Sequence, residues 1–286
     1  MSGKVDAGVA ERVIRALNFD GPDRAPVWES LQNQAVYEYC APGVEFPRCA
    51  AIACARLGID ATYGCMEAVR EEQVKGTTVH AAQTVWNTAP AFASLDALRA
   101  YRPRHSPERE LEEQMLMDYA SAQELYAPRT MYLPQTSWGF LPGYDAQTFE
   151  VFAEALTEDL AALATYWDLC VERAAMQMAI VARHRLTPII QICEDLAYKN
   201  GPMLNPALLR EHFFPRMALV IAPLKLAGIK IIWHSDGNIM SLLDDAIAIG
   251  IDGINPLDPS AGMDLAAVRR RYRRLILVGN VGAGQC

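Results

Sequence analysis

His234 and Asp236 stand two residues apart at the end of an apolar run, residues 230–238 (KIIWHSDGN). On an extended strand, positions i and i+2 face the same side. An imidazole and a carboxylate are therefore delivered together, a pair suited to moving a proton or holding a metal cation. Gly237 and Asn238 follow, a turn residue and a helix cap ahead of a helix expected from Ile239. Other strand-like runs also end in polar residues, among them Glu29, Gln135, Glu194, Asn255 and Asn280. Glu194 and Asp195 are adjacent, so on a strand they point oppositely, and Glu194 is the favoured third group beside His234 and Asp236. These three are the candidate catalytic residues and the candidate metal ligands. Lys199, four residues after Asp195, can meet an anion or pair with Asp195. Glu29, Gln135, Lys199, Asn238, Asn255 and Asn280 are the candidate substrate-binding positions.

The elements that must position these groups alternate between strand and helix. An amphipathic helix over 7–18 leads through a turn at 22–24 into a strand at 25–28. A helix over 46–57 precedes a strand at 58–62, and β-branched alternation over 73–88 reads as a hairpin-like excursion. Residues 92–126 are charged and loosely helical. A strand over 131–138 leads into a long helical region, about 146–184, broken near Glu158 and Asp159. Strand 189–193 ends at Glu194. Asn205-Pro206 starts a helix that runs to Gly228, with a kink expected at Pro215. Strands at 229–233, 253–255 and 275–279 alternate with helices over 239–249 and 264–272. This alternation implies a parallel sheet with right-handed crossovers. About seven strands are legible, one short of a closed (β/α)₈ barrel.

The composition narrows the function classes. With 286 residues and 51% hydrophobic content, the chain can bury a sizeable core. A net charge of −8 argues against a nucleic-acid surface. The arginine-rich run at 269–274 reads as a solvated helix face. Seven cysteines without a C-x-x-C spacing suit a reducing compartment and mostly buried thiols. The sequence shows neither a signal core nor an apolar run of spanning length, so a cytoplasmic protein is expected.

Several motifs together resemble the uroporphyrinogen decarboxylase superfamily, which also holds cobalamin-dependent methyltransferases. They are residues 24–28 (RAPVW), 194–202 (EDLAYKNGP), 234–238 (HSDGN), 250–256 (GIDGINP) and 277–281 (LVGNV). The likeness spans nearly the whole chain and is most specific from residue 188 onward. It implies a TIM (β/α)₈-type barrel, a single domain over 1–286 that lacks its last β/α unit because the chain ends early.

Two chemistries compete within this resemblance. The decarboxylase branch binds an acidic porphyrinogen through paired arginines after the Pro-Val-Trp strand. Here Trp28 is followed by Glu29 and no such arginines, which disfavours uroporphyrinogen decarboxylase itself. The methyltransferase branch carries His-x-Cys-Gly-Asn and a later Cys, which together hold zinc. Here Asp236 replaces the first Cys, so zinc would rest on imidazole and carboxylates. The expected function is transfer of a methyl group from a small methylated substrate to a corrinoid carried by a partner protein. The alternatives are porphyrinogen decarboxylation and a non-catalytic barrel fragment, which would survive by pairing or by partner binding, as in a homodimer.

Overall fold

The computed structural model describes residues 4–67, 73–75, 78–81, 84–87, 90–103, 106–143 and 146–281. In chain order the helices and strands are α1 (Ala7–Asn18), α2 (Gln34–Cys40), α3 (Arg48–Leu57), β1 (Ala61–Thr62), β2 (Gln73–Lys75), β3 (Thr78–Ala81) and β4 (Thr84–Asn87). Then come α4 (Leu95–Arg99), α5 (Glu108–Tyr126), β5 (Met131–Tyr132), β6 (Gln135–Thr136), α6 (Ala146–Glu158), α7 (Leu160–His184) and β7 (Ile189–Cys193). The last are β8 (Ala197–Tyr198), β9 (Gly201–Pro202), α8 (Pro206–Leu208), α9 (Phe214–Ala227), β10 (Lys230–His234), α10 (Leu243–Ile249), β11 (Gly253–Asn255), α11 (Leu265–Arg271) and β12 (Ile276–Leu277). The chain divides into two compact units, one from residues 1–89 and 109–134, the other from 90–108 and 135–286.

In the first unit, β1 and β5 pair in parallel, with Ala61 opposite Met131. The strand expected over 25–28 is reduced to a single parallel bridge between Trp28 and Ala61. Its neighbours explain this. Pro26 has no N–H to give a ladder, and the Val27 N–H donates to the Asp60 carboxylate at 2.8 Å. Asp60, only 2% exposed, also accepts from Arg12 at 2.6 Å and from Arg24 at 2.6 and 2.9 Å. One buried carboxylate thus ties α1, the 24–27 segment and the start of β1 together. The excursion expected over 73–88 is an antiparallel meander in the order β2-β3-β4.

The strand expected over 131–138 is split. Pro134 interrupts it, so β5 pairs in the first unit and β6 joins the sheet of the second. The break expected near 158–159 is real: Asp159 caps α7 by accepting from the Ala162 N–H at 3.0 Å. Asn205 caps α8 in the same way, accepting from the Ala207 N–H at 2.9 Å. Between α8 and α9, residues 209–213 form a π turn. It places Pro215 in the first turn of α9, where a missing N–H costs little. The irregularity expected at Pro215 therefore lies just before it.

The second unit carries a parallel five-stranded sheet in the order β12-β11-β10-β7-β6. Residues in register share a face. Ile190, Ile192, Ile231, Trp233 and Ile254 are buried on one side. There the Trp233 ring meets Phe213 and Phe214 at centroid distances of 5.7 and 6.1 Å. The opposite side carries Gln191, Cys193, His234 and Asn255. The architecture is mixed α/β with a parallel sheet, and no closed barrel is found among the described residues. Among those residues, no helix is long and apolar enough to cross a membrane.

Candidate functional site

The site grows from three neighbouring strands. Register places Cys193 of β7 beside His234 of β10, and His234 beside Asn255 of β11. A thiol, an imidazole and an amide therefore line one row at the C-terminal strand ends, where parallel α/β sheets present their chemistry. The His234 Nδ1–H donates to Asn255 Oδ1 at 2.7 Å. Asn255 Nδ2 donates in turn to the Val278 carbonyl at 3.5 Å, which orients the amide. With the proton on Nδ1, the neutral ring offers Nε2 as an acceptor. Nε2 faces Asp236 Oδ1 at 3.7 Å, longer than a hydrogen bond. Partial desolvation raises the Asp236 carboxyl above its usual range, and His234 opposes that shift. The Asp236 side chain is nevertheless 65% exposed, so the raised value belongs to an open strand end.

Asp236 is held from behind. Asp195 Oδ1 accepts from the Asp236 N–H at 3.0 Å and from the Ser235 hydroxyl at 2.7 Å. Ser235 Oγ accepts from the Leu196 N–H at 3.2 Å. The β8–β9 hairpin follows, and the Asn238 N–H donates to the Tyr198 carbonyl at 2.8 Å. Gly237 is required by this contact rather than by a left-handed turn. A Cβ there would come within 2.0 Å of the Ala197 carbonyl oxygen.

Glu194 turns elsewhere. It is 3% exposed, and its carboxylate accepts from the Ser137 hydroxyl at 2.8 Å and the N–H groups of Trp138, Gly139 and Phe140 at 2.6, 2.9 and 3.1 Å. Burial raises its pKa, while these four donors pull it down. Glu194 anchors the loop after β6 and would have to abandon that loop to join His234. The physical reason is local: three consecutive backbone N–H groups form an anion-binding concavity that a buried carboxylate satisfies.

The remaining candidates separate. Asn238 stands one residue before the cap position, Ile239, and accepts from the Met240 N–H at 3.1 Å, where the helix after β10 opens with a 3₁₀ turn over Met240–Leu242. Asn280 lies at φ 68°, and its amide donates to the Leu257 and Met263 carbonyls at 2.9 and 3.2 Å. Its amide hydrogens thereby hold the 256–263 loop. Lys199 is exposed at the β8–β9 turn. Glu29 belongs to the first unit, where its carboxylate accepts from the Ser30 N–H at 2.8 Å. Gln135 comes to the row: its Oε1 accepts from Cys193 Sγ at 3.3 Å and Gln191 Nε2 at 3.4 Å.

Gln191 and Cys193 are absent from the candidates read in the sequence. The signal for them is there, because both sit at alternate positions of an otherwise apolar strand and point with His234. Gln191 is 1% exposed, and its Oε1 lacks a partner among the described residues. Burial raises the Cys193 thiol, so it stays protonated at neutral pH.

The donor set bears on zinc. His234 Nε2 and Asp236 provide two ligands, and a catalytic zinc takes three from the protein. With Glu194 engaged in its loop, no third His, Cys, Asp or Glu among the described residues completes a metal-binding group. The residues present fit proton transfer better than zinc chemistry.

A hollow of about 790 Å³ opens elsewhere on the second unit, lined by Pro259, Met263, Leu265, Arg269, Leu277 and Asn280 among others, with neither His234 nor Asp236 in its wall.

The fold is similar to that of a methyltransferase from Methanosarcina mazei, with a TM-score of 0.63 and 14% sequence identity over 96% of this chain and 82% of that one. At this identity the likeness is one of fold. No family model and no curated protein matches the chain.

Proposed function

We propose that this protein is an enzyme of methyl-group transfer in which His234 protonates the leaving heteroatom of a small methylated substrate. The observation that carries the reading is the fixed imidazole: Asn255 holds Nδ1 at 2.7 Å and leaves Nε2 directed toward Asp236 and the open strand end. The fold likeness to a methyltransferase supports the same class. In the step, the bond from the methyl carbon to oxygen or nitrogen breaks, and the heteroatom takes the Nε2 proton. The reacting ring carries its second proton on Nε2, with the Asp236 carboxylate 3.7 Å away. Cys193, Gln135 and Gln191 line the neighbouring row, and the unpartnered Gln191 oxygen can accept a hydrogen bond from a substrate O–H or N–H. A corrinoid presented by a partner protein would supply the methyl acceptor. General acid catalysis of this kind contributes about 10²- to 10⁴-fold.

The test is a methyl-transfer assay with reduced free corrinoid and a panel of small methyl ethers and methylamines, followed spectroscopically. Transfer is expected with at least one compound, and His234→Ala should lower kcat by about 10²-fold or more. Equal rates for the two proteins, or porphyrinogen decarboxylation without methyl transfer, would overturn the reading.

A further inference from the structure

The first unit holds a second chemical pair that the proposed reaction does not use. Cys54 sits in the last turn of α3 and is fully buried, while Cys65 lies in the loop after β1 and is partly exposed. Their sulfurs are 3.4 Å apart. The loop that carries Cys65 is tied down on both sides. Its own N–H donates to the Tyr126 hydroxyl oxygen at 2.9 Å, and the Gly64 carbonyl accepts from Ser30 Oγ at 2.5 Å. The Met66 N–H donates to the Leu31 carbonyl at 2.9 Å, and the Tyr37 hydroxyl shares its one hydrogen between the Leu31 and Met66 carbonyls at 2.5 and 2.8 Å. The two thiols are therefore held face to face by structure that does not depend on them.

We propose that Cys54 and Cys65 are a reversible thiol–disulfide pair, oxidised by a peroxide and restored by a dithiol. Closing the bond needs the sulfurs to approach by on the order of 1.4 Å, from 3.4 Å to a disulfide length of about 2.05 Å. The roles are unequal. The hydrogen bond from the Cys54 thiol holds Cys65 below the ordinary thiol range, and the same contact together with burial pushes Cys54 up. Cys65 is thus the more nucleophilic and the more accessible sulfur, and Cys54 the resolving one.

The chemistry balances without a metal. The Cys65 thiolate attacks one peroxide oxygen, the O–O bond breaks, and Cys65 becomes a sulfenic acid as hydroxide leaves. The Cys54 sulfur then displaces the sulfenic OH, which departs with the Cys54 proton as water. Two thiols lose two electrons, and with the proton that Cys65 released the peroxide becomes two waters. The product ties the end of α3 to the loop after β1, beside the segment that carries Glu29 and Ser30.

The experiment uses the full chain with hydrogen peroxide near equimolar, followed by alkylation, tryptic digestion and mass spectrometry. Peptide 49–56 should be found joined to peptide 57–70 with the loss of two hydrogens, and fragmentation should place the link on Cys54 rather than on Cys49 in the same peptide. A dithiol should release it. Cys54→Ser should leave Cys65 as a sulfenic acid that a 1,3-dione probe traps, and Cys65→Ser should leave Cys54 unmodified. A link through Cys49, random pairing among the cysteines, or over-oxidised Cys65 with no cross-link in the wild-type chain would overturn the proposal. The wild-type digest decides the matter even if a variant fails to fold.

Discussion

His234 and Asn255 sit opposite each other on adjacent parallel strands, joined through Nδ1 and Oδ1 at 2.7 Å. The amide sets which ring nitrogen carries the proton, and so decides that Nε2 meets whatever binds at the strand ends. If that orientation matters, Asn255→Ala should lower kcat by about 10- to 100-fold with little change in melting temperature. Asn255→Asp should move the alkaline limb of the pH–rate profile to higher pH, because a carboxylate at Nδ1 favours the protonated ring that donates the proton. An unchanged pH profile in Asn255→Asp would separate the amide from the chemistry.

Glu194 should behave as a structural residue. Glu194→Ala leaves three backbone N–H groups, two of them buried, and a hydroxyl without an acceptor, a loss of about 3 kcal/mol or more. Glu194→Gln keeps one oxygen but turns an NH₂ toward donors, so it should recover only part of that loss. Urea denaturation of the two variants measures the order. A Glu194→Gln protein as stable as wild type, but inactive, would restore Glu194 to the catalytic set.

Asp60 predicts a pH dependence of stability. Burial pushes its carboxyl up, but Arg24, the Val27 N–H and Arg12 outweigh it, and the folded group lies below its ordinary value. The unfolded chain then binds the proton more readily. The contribution is complete above the ordinary carboxylate range and disappears as the pH falls through the lower folded value. Asp60→Asn should cost about 3 kcal/mol at neutral pH, and its difference from wild type should shrink on acidification through that window. Thermal melts of both proteins from pH 7 downward follow the convergence.

Gly237→Ala tests the support under Asp236. Its Cβ would sit 2.0 Å from the Ala197 carbonyl oxygen, so the β8–β9 hairpin or the 235–238 turn must move. A destabilisation of about 3 kcal/mol is expected, together with impaired activity, because the displaced turn carries Asp236. Wild-type stability and kinetics would show that the hairpin yields freely.

Much of this arrangement is legible in the chain. The apolar run of β10 brings His234 to a strand end on the face that also carries Gln191 and Cys193, because side-chain direction on a strand follows from the two-residue period, while Asp236 lies in the turn beyond β10. Asn205, Asp159 and Gly228 mark helix ends for local reasons of capping and left-handed backbone. Other features depend on partners distant in sequence. Residues 25–28 have strand-like composition, yet Asp60 takes the N–H that a ladder would use. Residues 131–138 read as one strand, yet Pro134 divides them between two ladders.

The residue types and the strand period thus determined which groups reach the strand ends and that the sheet is parallel. Which of those groups meet was decided by tertiary structure. Glu194 and His234 both follow apolar strands, but Glu194 finds the N–H groups of residues 138–140 and His234 finds Asn255. Strand periodicity orients a side chain without naming its partner, and a buried charge or ring nitrogen takes the partner that register and loop backbone bring within reach.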